Sequence, residues 1–344
     1  MTFAFRRSLV LAATGLGLLG TSACAPTQLE GADLPALQAL SEEIDQERVW
    51  NDLITLAEQH RTDTPRDCTG FPGKSFPELC NLSNKNSGEW LKAQFESFGL
   101  PVSMETSTDN DVPNTNIVAE LRGTSKPEEI ILVGAHFDAF WQGADDNSSG
   151  VVAVVELARV LSQYQFDRTI RFVGFDLEEI GIIGSHRYVN AHPNENVVTA
   201  LVFDCIGFYS DKEGSQQSLP GLPSPSKGNF LAIIANDQSA GEASDLFSLS
   251  NELKLMSTVP MIAGGRGTST LSEPLTRSDH VPFWFADQKA LFLTDTANFR
   301  NPNYHTEKDT PDTLDKVRMT QAIRLAATAL AYWADGMKPR TTPL

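Results

Sequence analysis

Six short apolar runs separated by helical stretches predict an α/β fold, a largely parallel sheet covered by helices on both faces. The runs are 116–121, 130–135, 170–175, 200–205, 230–235 and 290–294. Each is too short for a helix and lacks the polar alternation of a half-exposed strand, so each reads as a strand buried on both faces. Helical patterns at 150–163, 180–191, 241–253 and 314–337 separate several of them. Ahead of the first run, Ile44, Val49, Trp50, Leu53 and Leu56 recur at helical spacing to about His60. Trp90, Leu91, Phe95 and Phe98 do the same before Gly99. Residues 25–42 read as a tether, and the Ser-, Pro- and Gly-rich stretch 211–228 as a long surface loop. A second loop, 263–279, ends in a polar cluster. A length of 344 residues, 41% of them hydrophobic, supplies enough material for one large core over 43–340.

The chain carries 44 acidic residues against 27 Lys and Arg, a formal net charge of −17. That balance excludes the basic footprint that nucleic-acid backbones require, and equally a polybasic membrane surface. Residues 1–24 form a separate text: Arg6 and Arg7, an apolar stretch from Leu9 to Leu19, then Thr21-Ser22-Ala23 before Cys24. This is the order of an export signal, too short in its apolar part to span a bilayer. Small residues ahead of a cysteine are similar to a lipoprotein signal, with Cys24 as the lipidated residue. Cleavage after Ala23 to a free periplasmic or secreted protein is the alternative. In an exported chain Cys68 and Cys80, bracketing a Gly- and Pro-rich loop, are expected to form a disulfide. Cys205, inside an apolar run, is expected to be a buried thiol.

Ligands in open α/β sheets sit beyond the carboxyl ends of the strands, so the residues just past each run are the candidates for chemistry. His136-Phe137-Asp138 comes directly after 130–135, and Asp176-Leu177-Glu178-Glu179 directly after 170–175. Asp204 lies at the end of the fourth run, and Tyr304-His305 comes a loop after 290–294. Between the first two stands Gly143-Ala144-Asp145-Asp146-Asn147-Ser148-Ser149-Gly150, an acidic turn opening a helix. Singly, such residues are more often helix caps, dipole partners or hydrogen-bonded histidines. Converging on one sheet edge, two histidines and several carboxylates suit zinc, which takes imidazole nitrogen and carboxylate oxygen. Two zinc ions sharing a carboxylate make a clamp for hydrolysis, and a further carboxylate is then needed to move the proton.

These motifs, together with Arg277-Ser278-Asp279-His280-Val281-Pro282-Phe283 and Tyr304-His305-Thr306, resemble in content and order those of the zinc-dependent M28 peptidases. The resemblance runs from about Asn51 to Trp333. It implies a single-domain three-layer α/β/α sandwich whose central sheet is mixed, mostly parallel and about eight strands wide. It implies two Zn2+ per chain, one held by His136, Asp146 and Asp204, the other by Asp146, Glu179 and His305. Asp146 takes the bridging place because it stands three residues before Ser149-Gly150. Glu178 matches the general base, Asp138 the residue that orients His136, and Tyr304 a donor to the developing oxyanion. Ser278, Asp279 and His280 match a segment beside the metals. Phe140, Trp141, Phe208 and Tyr209, next to these positions in sequence, are candidates for a side-chain pocket. The function implied is that of an aminopeptidase acting on peptides. The alternatives are a glutaminyl cyclase of the same fold, a carboxypeptidase or dipeptidase in which Arg266 or Arg277 receives the substrate carboxylate, and a non-catalytic module, which would lack ligands.

Overall fold

The computed structural model describes residues 27–62, 82–108, 112–218, 225–342 and 344. Cys24, Cys68 and Cys80 lie outside the described residues. In chain order come α1 (Leu34–Glu42), α2 (Gln46–Thr62), α3 (Lys85–Ser97), β1 (Val102–Ser107), β2 (Asn114–Leu121) and β3 (Lys126–His136). They are followed by α4 (Gly150–Leu161), β4 (Arg168–Phe175), α5 (Ile183–Ala191), β5 (Asn196–Phe203) and β6 (Leu231–Asn236). The chain then continues through α6 (Ala240–Glu252), β7 (Thr258–Ala263), α7 (Val281–Phe285), β8 (Ala290–Thr294) and α8 (Lys316–Ala334). No helix among the described residues is long and apolar enough to cross a membrane.

The eight strands make one mixed sheet in the order β7-β6-β8-β5-β3-β4-β2-β1. Its centre is parallel: β3 runs with β4 and β5, and β5 with β8. Towards one side β8 meets β6 antiparallel, and towards the other β4 meets β2 and β2 meets β1 antiparallel. Side chains along the central strands alternate between the two faces of the sheet, as period-2 geometry demands. Ile131, Val133, Ile170, Phe172, Leu201 and Phe203 face a core shared with α1, α2, α3, α4, α6 and α8. Ile130, Leu132, Val173, Phe175 and Ala200 face the opposite core, built with Tyr188 of α5 and Phe283 and Trp284 of α7. Both faces are thus covered, which is why these strands read as continuous apolar runs.

Four elements differ from the sequence expectation. The tether is helical over Leu34–Glu42: Asp33 Oδ1 accepts the Ala36 N–H at 3.1 Å, and Leu37 and Leu40 are buried in the main core. So thin an apolar stripe is too sparse a pattern to stand out. Strands β1 and β7 were not expected, because both are edges of the sheet. An edge needs little apolar content, and it tolerates Met104 half exposed in β1 and Pro260 within β7. Lastly, α5 begins at Ile183 and not at 180, which leaves Glu178 and Glu179 in a turn.

Candidate metal centre

The parallel centre of the sheet sets the spacing of the site. Ala135 pairs with Gly174 of β4 and Phe203 of β5, and Phe203 pairs with Leu293 of β8. His136 and Asp204 therefore leave adjacent strands at the same level, about 4.8 Å apart along the hydrogen-bonding direction.

Asp146 reaches this edge through the turn between β3 and α4. Gly143 opens the turn in the left-handed region, φ 48°, where a Cβ would lie 2.4 Å from the carbonyl oxygen of Asp146. The capping that an Asp-Asp-Asn turn suggests falls to Asn147: its Oδ1 accepts the Gly150 N–H at 3.1 Å. Its Nδ2 donates to the Phe203 carbonyl at 2.9 Å, fastening the turn to β5. Asp145 points away, accepting from the Gly207 N–H at 2.8 Å and from Asn301 Nδ2 at 2.7 Å. Asp146 is left free to face both histidines.

Asp138 holds the next pair of acids. Its carboxylate accepts the N–H of Glu178 at 3.0 Å and of Glu179 at 3.2 Å. The imidazole of His136 is oriented mainly by the Asp138 carbonyl, 3.0 Å from Nδ1, with the carboxylate at 3.5 Å. Asp138 thus fixes Glu178 and Glu179 as well as His136, two more residues than expected. Leu177 and Ile182, on either side of the pair, both have positive φ, a local strain that concentrates at functional turns.

Two triads result, His136 with Asp146 and Asp204, and Asp146 with Glu179 and His305; within each the candidate ligand atoms lie within 4.8 Å of one another. His136 Nε2 is 3.4 Å from Asp146 Oδ1 and 3.7 Å from Asp204 Oδ2. His305 Nε2 is 2.9 Å from both Asp146 Oδ2 and Glu179 Oε2. Asp146 offers one oxygen to each side, as a bridging ligand must. His136 Nε2 and Glu179 Oε1 are buried without a hydrogen-bond partner, so the donor set fits a cation. The charges agree. Burial, opposed by His136 and reinforced by Asp204, Asp279 and Glu179, holds the Glu178 carboxyl well above its ordinary range. Burial and the nearby Asp146 push Glu179 up to about 8. Against its own burial, the adjacent imidazoles of His136 and His305 hold Asp146 well below the usual carboxylate range. His305, despite burial, is raised to about 11 by Asp146 and Glu179. Carboxylates crowded in this way call for positive charge between them.

The remaining candidates scatter. Tyr304 stacks on His305, ring centroids 4.0 Å apart, and burial keeps its hydroxyl protonated. Phe140 meets His305 edge-on at 5.3 Å, with Trp141 beside it. Tyr209 does not join them, since it packs under the Arg300 guanidinium; the backbone N–H of Phe208 donates to Asp295. The cavity beside Tyr304 and Asp204 is walled instead by Ile234, Phe292 and Phe299. Ser278 and Asp279 are buried, and Asp279 accepts from Ser185 Oγ and contributes to the field at Glu178. His280 turns into the core, stacked on Phe292 with Nε2 donating to the Leu275 carbonyl at 2.9 Å. Arg266 is paired with Asp287 at 2.6 Å, whereas Arg277 lines the cavity. Cys205 is buried as expected. Asp309 and Asp295 were missed. Asp309 accepts the N–H groups of Asp145 and Asp146, and Asp295 those of Phe208 and Ala297. The one available signal was the placement of these acids, Asp295 directly after the last apolar run and Asp309 four positions after His305.

The model of peptidase family M28 matches residues 116–330. The uncharacterized protein YfbL of Escherichia coli (strain K12) is 30% identical over 261 residues, 71% of this chain and 79% of that protein. Aminopeptidase YwaD of Bacillus subtilis (strain 168) is 29% identical over 270 residues, 75% of this chain. The match spans only 52% of YwaD, about half its length. The Legionella pneumophila LapA aminopeptidase structure shares the fold at TM-score 0.66 and 21% identity, covering 91% of this chain and 78% of that one. With the fold, the two triads and these matches in agreement, the chain belongs to peptidase family M28.

Proposed function

We propose that the protein is a zinc-dependent aminopeptidase that removes the N-terminal residue of peptides, with two Zn2+ held by His136, Asp146 and Asp204 and by Asp146, Glu179 and His305. The observation that carries this reading is the shared carboxylate of Asp146 between two histidine-containing triads, with Glu178 beside them. When bound, zinc polarises the scissile carbonyl and makes water acidic near neutral pH. Glu178, its backbone pinned by Asp138, takes a proton from the attacking water and returns it to the departing amine. A carboxyl with a raised affinity for protons is suited to both halves of that task. Tyr304, kept protonated, donates a hydrogen bond to the oxygen that gains charge. The surrounding carboxylates favour a substrate with a free, positively charged α-amine.

The test is hydrolysis of a panel of aminoacyl-arylamides by protein stripped with chelator and by the same protein with zinc restored. Cleavage of free but not N-acetylated substrates, dependent on zinc, is expected. Cyclisation of glutaminyl peptides in place of hydrolysis, or release of C-terminal residues, would overturn the aminopeptidase assignment. Export belongs to the same proposal and is supported by the order of residues in 1–24, with Cys24 as lipid acceptor. Labelled palmitate on Cys24, lost in Cys24→Ala, is the expected outcome; a mature chain beginning unmodified after Ala23 would replace the anchor by free secretion.

A further inference from the structure

Arg277 stands where an acidic site would not be expected to leave a cation unused. It precedes the buried Ser278-Asp279-His280 segment, which is anchored by the bonds of Asp279 to Ser185 and of His280 to the Leu275 carbonyl. Its side chain lines the cavity bordered by the candidate ligand Asp204 and by Tyr304. Asn298 Oδ1 accepts from Nη1 at 2.8 Å, fixing one edge of the guanidinium. Among the described residues no carboxylate comes within ion-pair distance of Arg277. In the same acidic chain Arg48, Arg159, Arg168, Arg171, Arg266 and Arg318 each hold one. A guanidinium has a planar fork of donors that matches a carboxylate. Arg277 is itself exposed at the rim of this cavity, whose apolar wall is Ile234, Phe292 and Phe299.

We propose that Arg277 receives a carboxylate of the substrate, so that the preferred peptides carry a negative charge within a residue of the scissile bond. The proposal rests on the peptidase reading of the metal centre and names the substrate class for it. The cavity is bordered by Asp204 and Tyr304, so it adjoins that centre. Two sources supply the same chemistry: the side chain of an N-terminal Glu or Asp, and the free C-terminus of a dipeptide.

The experiment measures kcat/KM of the zinc-loaded wild type and of Arg277→Gln, which keeps a donor towards Asn298 but loses the charge. Glu-4-nitroanilide is compared with Leu-4-nitroanilide for the side-chain source, and Leu-Leu with Leu-Leu-amide for the main-chain source. Forming each ratio on one preparation cancels differences in folding and metal loading. The charged substrate is expected to be favoured in one of the two pairs, and that ratio to fall about ten- to a hundredfold in Arg277→Gln, the range for a charge-assisted hydrogen bond. Arg277→Lys is expected to recover part of it. Ratios unchanged by the substitution in both pairs would overturn the role of Arg277 while leaving the peptidase reading intact. Absence of hydrolysis of all four substrates by the zinc-loaded wild type would overturn the peptidase reading, and this proposal with it.

Discussion

Asp309 accepts the backbone N–H of Asp146 at 3.1 Å and, with its other oxygen, that of Asp145 at 2.9 Å. Its own carbonyl accepts the Ala144 N–H at 3.3 Å, so one residue takes three consecutive donors of the turn that presents Asp146. Asp309 lies only four positions after His305 and thereby ties together the loops carrying Asp146 and His305 of one triad. Asp309→Asn keeps the shape and loses one of the two carboxylate acceptors. It is expected to weaken zinc at the Asp146–Glu179–His305 triad about ten- to a hundredfold, as loss of a supporting partner does at metal sites. Zinc titration with a competing chromophoric chelator reads this directly; two unchanged binding phases would show that Asp309 serves folding only.

Glu178→Gln removes the proposed proton acceptor and retains the N–H that Asp138 accepts. Turnover is expected to fall by at least about a hundredfold, in the range for a general base, with zinc content per chain preserved. Activity near that of the wild type would remove Glu178 from the proton path.

Metal binding must displace protons from Glu179, raised to about 8, and from His305, raised to about 11, in the metal-free protein. Zinc affinity is therefore expected to rise with pH between about 5.5 and 8 and proton release to accompany binding. The chelated protein should melt below the zinc-loaded one, and by a wider margin at about pH 8 than at about pH 5.5. Calorimetry in buffers of different ionisation enthalpy counts the protons released.

His280 offers a separate pH effect. Burial lowers its affinity for protons to about 4, only slightly offset by the Leu275 carbonyl and Asp204. Its folded value lies below the unfolded one, so the unfolded chain binds the extra proton between about 6.5 and 4. Stability is present above about 6.5 and is lost as pH falls through this window, by at most about 1.4 kcal/mol per unit for one proton. Urea unfolding at stepped pH should show this slope, reduced in His280→Gln; an identical slope in the variant would assign it to other groups.

Much of this was legible because the chemistry hangs on the most regular part of the molecule. Strands β3, β4 and β5 are buried on both faces, so their apolar runs stand out, and the polar residue that ends each run marks the site. His136, Glu179 and Asp204 could be located that way. Asp146 rather than Asp145 needed the family resemblance, and the hydrogen bonds of Asp145 to Gly207 and Asn301 give the physical reason. Asp309 was not legible, since an acid in an irregular loop looks the same whether it faces solvent or holds three N–H groups. Tyr209 misled for the opposite reason: proximity to Asp204 in sequence says nothing about which side of the chain a ring takes, and here it lies under Arg300. The helix Leu34–Glu42 escaped notice because its packing partner, α8, lies near the other end of the chain and its own apolar stripe is thin.

The two triads differ in how they are held. His136 and Asp204 are fixtures of neighbouring strands and almost wholly enclosed, whereas His305 sits at φ 55° on an irregular loop with its side chain 37% exposed. One half of the centre is thus masonry and the other a hinged bracket. A shift of the bracket would leave the enclosed half standing, so changes in the segment between Asp295 and Asp309 can move His305 without disturbing the sheet that carries His136 and Asp204.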